Sequence, residues 1–195
     1  SSLWDFTLNG TGGNFSKNDL GNNQSHTFLN LVPGSYNLTE LSDPDYKTNI
    51  VCDNIPGLPG SNGYLLSLSA GQSTQCTITN TLQTGDIQIV KNTIGGNNEF
   101  SFETSTLPGG NFDLTTVAGT AKKDFNGIIA GTYGAKEIVP AGWDLTGLVC
   151  VDPDQGSKVD INTGIATIDL DAGESITCTF TNTQRGSITA HKFQD

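Results

Sequence analysis

The six residues CTITNT (76–81) return as CTFTNT (178–183), and a longer likeness surrounds each copy. SAGQSTQCTITNT (69–81) matches DAGESITCTFTNT (171–183), and LNLVPGSYNLTE (29–40) matches NGIIAGTYGAKE (126–137). The two Glu, at 40 and 137, stand 97 residues apart; the two Asn, at 80 and 182, stand 102 apart. A chain written twice at this period folds as two copies of one unit. With 34% hydrophobic residues it fills two small cores and not one large one.

Inside each copy the period is two. DIQIVK, SFETS, NFDLTT, TGLVCV, IATIDL and TCTFTN alternate along strands, and PG, AG, NG, DP and GG break them at short intervals. No stretch holds an apolar 3.6 period long enough for a good helix. The expected fold class is all-β: two tandem Ig-like β-sandwich modules of about seven strands each. The Gly pairs 12–13, 95–96 and 109–110 are expected at hairpin turns.

The copies are cut unevenly. The second opens with GDIQIVKNT (85–93), followed by EFSFETS. The first opens at SSLWDFTLNG, which aligns with EFSFETS, so its first strand is missing. After CTFTNTQ comes GSITAHK (186–192), which aligns with GDIQIVK (85–91). The expected domains are therefore 1–84, a sandwich without its first strand; 85–184, a complete one; and 185–195, a C-terminal strand that is either a donor strand or the start of a third repeat. The absence of Met predicts a processed chain or an excised piece.

Each copy carries one early and one late cysteine. Cys52, Cys76, Cys150 and Cys178 form no CxxC pair, so zinc is not expected. The simple pairing is Cys52–Cys76 and Cys150–Cys178 in an oxidising compartment, with four buried thiols as the alternative. A net charge of −11 argues against nucleic acid and anionic membranes as partners. No apolar run is long enough to span a bilayer. The acids of DPDYKTN and CVDPDQGSKVD read as solvated loop charge; calcium would need ligand spacing that no EF-hand pattern here provides. No cofactor motif and no GxSxG or Ser–His–Asp set appears, so the expectation is a protein that is not an enzyme, with self-crosslinking at most.

Strand parity aims three polar residues inward. Cys178, Phe180 and Asn182 share a face, as do Ile87, Ile89 and Lys91, and Tyr133, Ala135 and Glu137. A slip of one residue would turn Lys136 inward and Glu137 out. Buried Lys and Glu are rare unless they satisfy one another. Lys on the first strand, Glu four residues after a Tyr with VPAGW following, and Asn on the last strand resemble the CnaB-type (prealbumin-like) modules of bacterial surface adhesins and pilins. The first copy supplies PGSY (33–36), Glu40 and Asn80, with DPDY (43–46) in place of the PAGW segment.

This resemblance implies an intramolecular isopeptide bond between Lys91 and Asn182, with Glu137 relaying protons; the alternative is a non-covalent Lys–Glu–Asn cluster. In the first copy Glu40 and Asn80 have no first-strand Lys. The tail carries Ile188, Ala190 and Lys192 in the pattern of Ile87, Ile89 and Lys91. It is therefore a candidate to fill the groove of the next molecule and to join Lys192 to Asn80, with Glu40 assisting. The expected function is an extracellular structural protein of a cell-surface filament or stalk. Its partners are copies of itself, head to tail, or neighbouring repeats of a longer chain. The competing reading is a ligand-binding adhesin domain from a longer tandem-repeat surface protein.

Overall fold

Strands of alternating burial make up both halves of the chain. The computed structural model describes residues 3–54, 58–60 and 63–194; Ser1, Ser2 and Asp195, at the ends of the expected domains, lie outside this range. It contains sixteen strands and no helix among the described residues. The chain divides into two compact units, Ser1–Leu82 and Gln83–Asp195.

The second unit holds β8 (Thr84–Ile94), β9 (Glu99–Ser105), β10 (Phe112–Thr115), β11 (Thr120–Ile129), β12 (Gly131–Ile138), β13 (Trp143–Val151), β14 (Lys158–Asp160), β15 (Ile165–Leu170) and β16 (Ser175–Gln184). This is nine strands against the seven expected. Two short ones, β10 and β14, each add an outer edge to a five-stranded sheet of order β10-β9-β12-β15-β14. The facing sheet has order β11-β8-β16-β13. Gly95 and Gly96 therefore carry the chain from one sheet to the other and do not close a hairpin. Gly109 and Gly110, both at positive φ, do turn the β9–β10 hairpin.

Alternation is strict where it matters. Ile87, Ile89, Phe100, Phe102, Ala166, Ile168, Ile176, Cys178 and Phe180 are each at most 1% exposed. Phe102 stacks on Phe112 and meets Phe180 edge-on, with centroids 5.0 and 5.1 Å apart. Burying aromatic and branched side chains of this size contributes about 1.5–3 kcal/mol each. The first and last strands, β8 and β16, run parallel, with Ile89 opposite Cys178. The Cys150–Cys178 disulfide staples β16 to its antiparallel neighbour β13 at directly opposed positions.

The first unit holds β1 (Trp4–Gly10), β2 (Gly13–Leu20), β3 (Gly34–Glu40), β4 (Tyr46–Cys52), β5 (Leu58–Gly60), β6 (Gly63–Leu68) and β7 (Cys76–Leu82). One sheet has order β2-β1-β3-β6-β5, matching that of the second unit. The other is only the pair β4–β7, stapled by Cys52–Cys76. Among the described residues of this unit, none occupies the position of β8. The segment 21–33, which corresponds to β11, contains no strand. A two-stranded ribbon is a poor cover for a core, and the burial reflects it. Cys76, Ile78 and Asn80 are half-buried, whereas their counterparts Cys178, Phe180 and Asn182 are fully buried.

Candidate functional site

In the second unit, three polar side chains meet inside the core. β8 presents Lys91 after Ile87 and Ile89, β12 presents Glu137 after Ala135, and β16 presents Asn182 after Cys178 and Phe180. Lys91 and Asn182 are 0% exposed and Glu137 is 3% exposed. The Lys91 ammonium donates to Asn182 Oδ1 at 2.8 Å, to Asn92 O at 3.0 Å and to Phe180 O at 3.1 Å. It lies 3.5 Å from Glu137 Oε1 and 4.3 Å from the centre of the Phe100 ring. Lys136, the alternative inward residue, faces out and pairs with Glu103 at 3.2 Å.

Burial disfavours both charges. Desolvation pushes the Lys91 amine down to about 8, against the raising influence of Glu137. Desolvation likewise raises the Glu137 carboxyl, partly offset by the Lys91 charge and by the Lys91 and Asn182 donors. Neither Glu137 oxygen receives a well-directed hydrogen bond, and the Asn182 Nδ2 group also lacks one. Buried polar groups left this way are costly in a finished core.

The first unit repeats two of the three residues. Asn80 Nδ2 donates to Glu40 Oε1 at 2.8 Å, and Thr48 Oγ1 donates to Glu40 Oε2 at 2.7 Å. Asn80 Oδ1, the counterpart of the oxygen that Lys91 contacts, is shielded from solvent and has no partner. Lys47 is exposed; Lys17 is half-buried on β2, opposite Phe6 of β1, and its ammonium donates to Asn18 O. Lys192 lies in the tail. Residues 186–194 are exposed and unpaired within the chain, and Ile188 is 99% exposed. Ala190 is exposed with them. The tail leaves the second unit at Arg185, whose N–H donates to Gly142 O at 2.8 Å and whose guanidinium pairs with Asp144.

The carboxylates of Asp152, Asp154 and Glu174 lie within 4.8 Å of one another. Asp152 is committed to its own loop, accepting from the backbone N–H of Asp154, Gln155 and Ser157. An open pocket of about 450 Å³ is lined by Pro140, Trp143, Asn162, Thr163 and Arg185 among others. No helix of the described residues is long and apolar enough to cross a membrane.

No curated protein matches the chain. Among solved structures, the major pilin from Streptococcus pyogenes is similar with a TM-score of 0.48 at 13% identity, over 95% of this chain and 92% of that one. The C-terminal fragment of the pilus adhesin SpaC from Lactobacillus rhamnosus GG gives 0.43 at 15%, over 96% and 91%. A bacterial adhesin from Mobiluncus mulieris, described as containing intramolecular disulfide, isopeptide and ester bond cross-links, gives 0.41 at 15%, over 89% and 67%. The family model of the SpaA-type prealbumin-like fold domain matches residues 87–184. That stretch runs from Ile87 of β8 to the last residue of β16 and takes in all three members of the buried cluster. With half of its length inside this match, the chain belongs to the prealbumin-like fold domain family.

Proposed function

We propose that the chain is an extracellular structural protein, a module of a cell-surface filament or stalk, made durable by covalent ties between strands. The observation that carries this reading is the sealed cluster of Lys91, Glu137 and Asn182, in which an amine touches an amide with an acid beside both. The neutral amine attacks Asn182 Cγ. Glu137 takes a proton from Nζ and delivers one to Nδ2. The Nζ–Cγ bond forms, the Cγ–Nδ2 bond breaks, and ammonia leaves. Fixed distance and the exclusion of water supply the driving geometry, and the reaction occurs once per molecule. On the chain-entropy model the closed loop of roughly 92 residues stabilises the unit by about 4.5 kcal/mol.

The same chemistry extends between molecules. The tail inserts beside β7 of the next copy, Lys192 takes the place that Lys91 holds in the second unit, and Asn80 is joined to it with Glu40 as the acid. This head-to-tail contact is heterologous and propagates as a filament. Intact mass after boiling in denaturant and reductant tests both ties. A monomer lighter by one ammonia supports Lys91–Asn182, and a ladder of covalent multimers supports Lys192–Asn80. A monomer of unmodified mass refutes both and leaves a disulfide-stapled adhesin module.

A further inference from the structure

The segment 21–33 is not shapeless. Tyr36 Oη donates to Val32 O at 2.6 Å, as Tyr133 Oη donates to Ile129 O at 2.6 Å, so the end of the segment is tied down as the end of β11 is. Two residues earlier, Asn30 has φ 58° where Gly127 has φ 64°. In β11 that residue makes the bulge between Phe125 and Ile128. Phe28 and Leu31, the counterparts of Phe125 and Ile128, already pack against the small core of the first unit. The segment thus has the anchor, the bulge and the inward side chains of β11, and lacks only a strand to pair with.

We propose that residues 23–32 are a latch that folds into an edge strand over residues 186–193 of a second copy of this chain. This rests on the strand-donation reading and adds its register and its moving part. Transferring the pairings of β8 places the donated strand parallel to β7, with Ala190 opposite Cys76 and Lys192 opposite Ile78. On its other side it runs antiparallel to the latch, with Ile188 opposite Phe28 and Gly186 opposite Leu31.

Two features of the chain select this occupant. The first is Gly186. At its counterpart Gly85 a Cβ would sit 2.7 Å from the Glu174 carbonyl oxygen, so that position admits only glycine, whereas Gly186 in the free tail has nothing within 4 Å. The second is charge. The donated residues 186–193 carry the single cation Lys192 and no acid, while the first unit sets Asp5, Asp19, Glu40, Asp43, Asp45 and Asp53 against Lys17 and Lys47.

The test uses the full chain carrying Gly186→Val, which leaves its own tail unable to dock, and a synthetic peptide of sequence RGSITAHKFQD. Expected are saturable binding of the peptide, no binding of the same peptide with Gly186→Val, and hydrogen exchange at the amides of 23–28 slowed by about tenfold or more when the peptide is bound. Binding of the peptide with unchanged exchange at 23–28 would overturn the latch and leave strand donation standing. Equal binding of both peptides would overturn the register. Absence of binding by either would overturn strand donation itself, and the latch with it.

Discussion

At the scale of single residues, the cluster of Lys91, Glu137 and Asn182 depends on where one proton sits. The proposed reaction needs the amine neutral and the acid protonated, so the pair must hold one proton. Below the raised pKa of Glu137 the pair holds two and the amine is charged. Above the depressed pKa of Lys91, about 8, the pair holds none and the acid is gone. The rate of ammonia loss during refolding is therefore expected to be bell-shaped, falling roughly tenfold per pH unit above 8. A time course of intact mass across a pH series reads it directly. In Glu137→Gln ammonia loss should be absent across the whole series, because a carboxamide cannot take the proton from Nζ and pass one to Nδ2. Glu137→Ala should fold with Lys91 and Asn182 unlinked and lose on the order of 20 °C of thermal stability, the loop-closure share alone. An unmodified melting temperature in that variant would mean that the bond contributes nothing.

At the scale of elements, the two disulfides differ in what surrounds them. Cys150–Cys178 joins β13 to β16 within a four-stranded sheet, while Cys52–Cys76 holds together a ribbon with which no third strand pairs among the described residues. Each closes a loop of similar length, with sequence separations of 24 and 28, worth about 3.5 kcal/mol on the chain-entropy model. Reduction is accordingly expected to melt the first unit at lower denaturant than the second, as followed by exchange of β4 and β7 amides against β13 and β16 amides. Much of this layout was legible in the sequence. Once Phe180 and Ile89 mark the core, a period of two leaves Asn182 and Lys91 no other face. The strand count was less legible, since β14 is three exposed residues held by backbone pairing to β15. The state of 23–32 was not legible at all. Its residues carry the pattern of β11, but whether they pair depends on a neighbour that lies elsewhere in the sequence.

At the scale of the whole molecule, the junctions repeat. β7 runs through the single residue Gln83 into β8, and β16 runs with no longer a break into the tail. An assembled filament would then use one kind of joint throughout, within subunits and between them. Lys192→Ala is expected to abolish denaturant-resistant multimers and to leave multimers that survive only native conditions, as resolved by light scattering beside denaturing electrophoresis. Persistence of the covalent ladder in that variant would place the intersubunit tie elsewhere.

The parallel pairing of β8 with β16 has a mechanical consequence. Tension applied along the chain enters the second unit at Thr84 and leaves at Gln184. With the proposed Lys91–Asn182 bond in place, it would cross from one strand to the other at that bond, and residues 92–181 would drop out of the stressed path. Nearly all of the unit then hangs slack beside a short covalent rope. The Cys150–Cys178 bond lies within that slack portion, sheltered from the pull that would otherwise expose it to reductants, and the second unit cannot lengthen by unravelling.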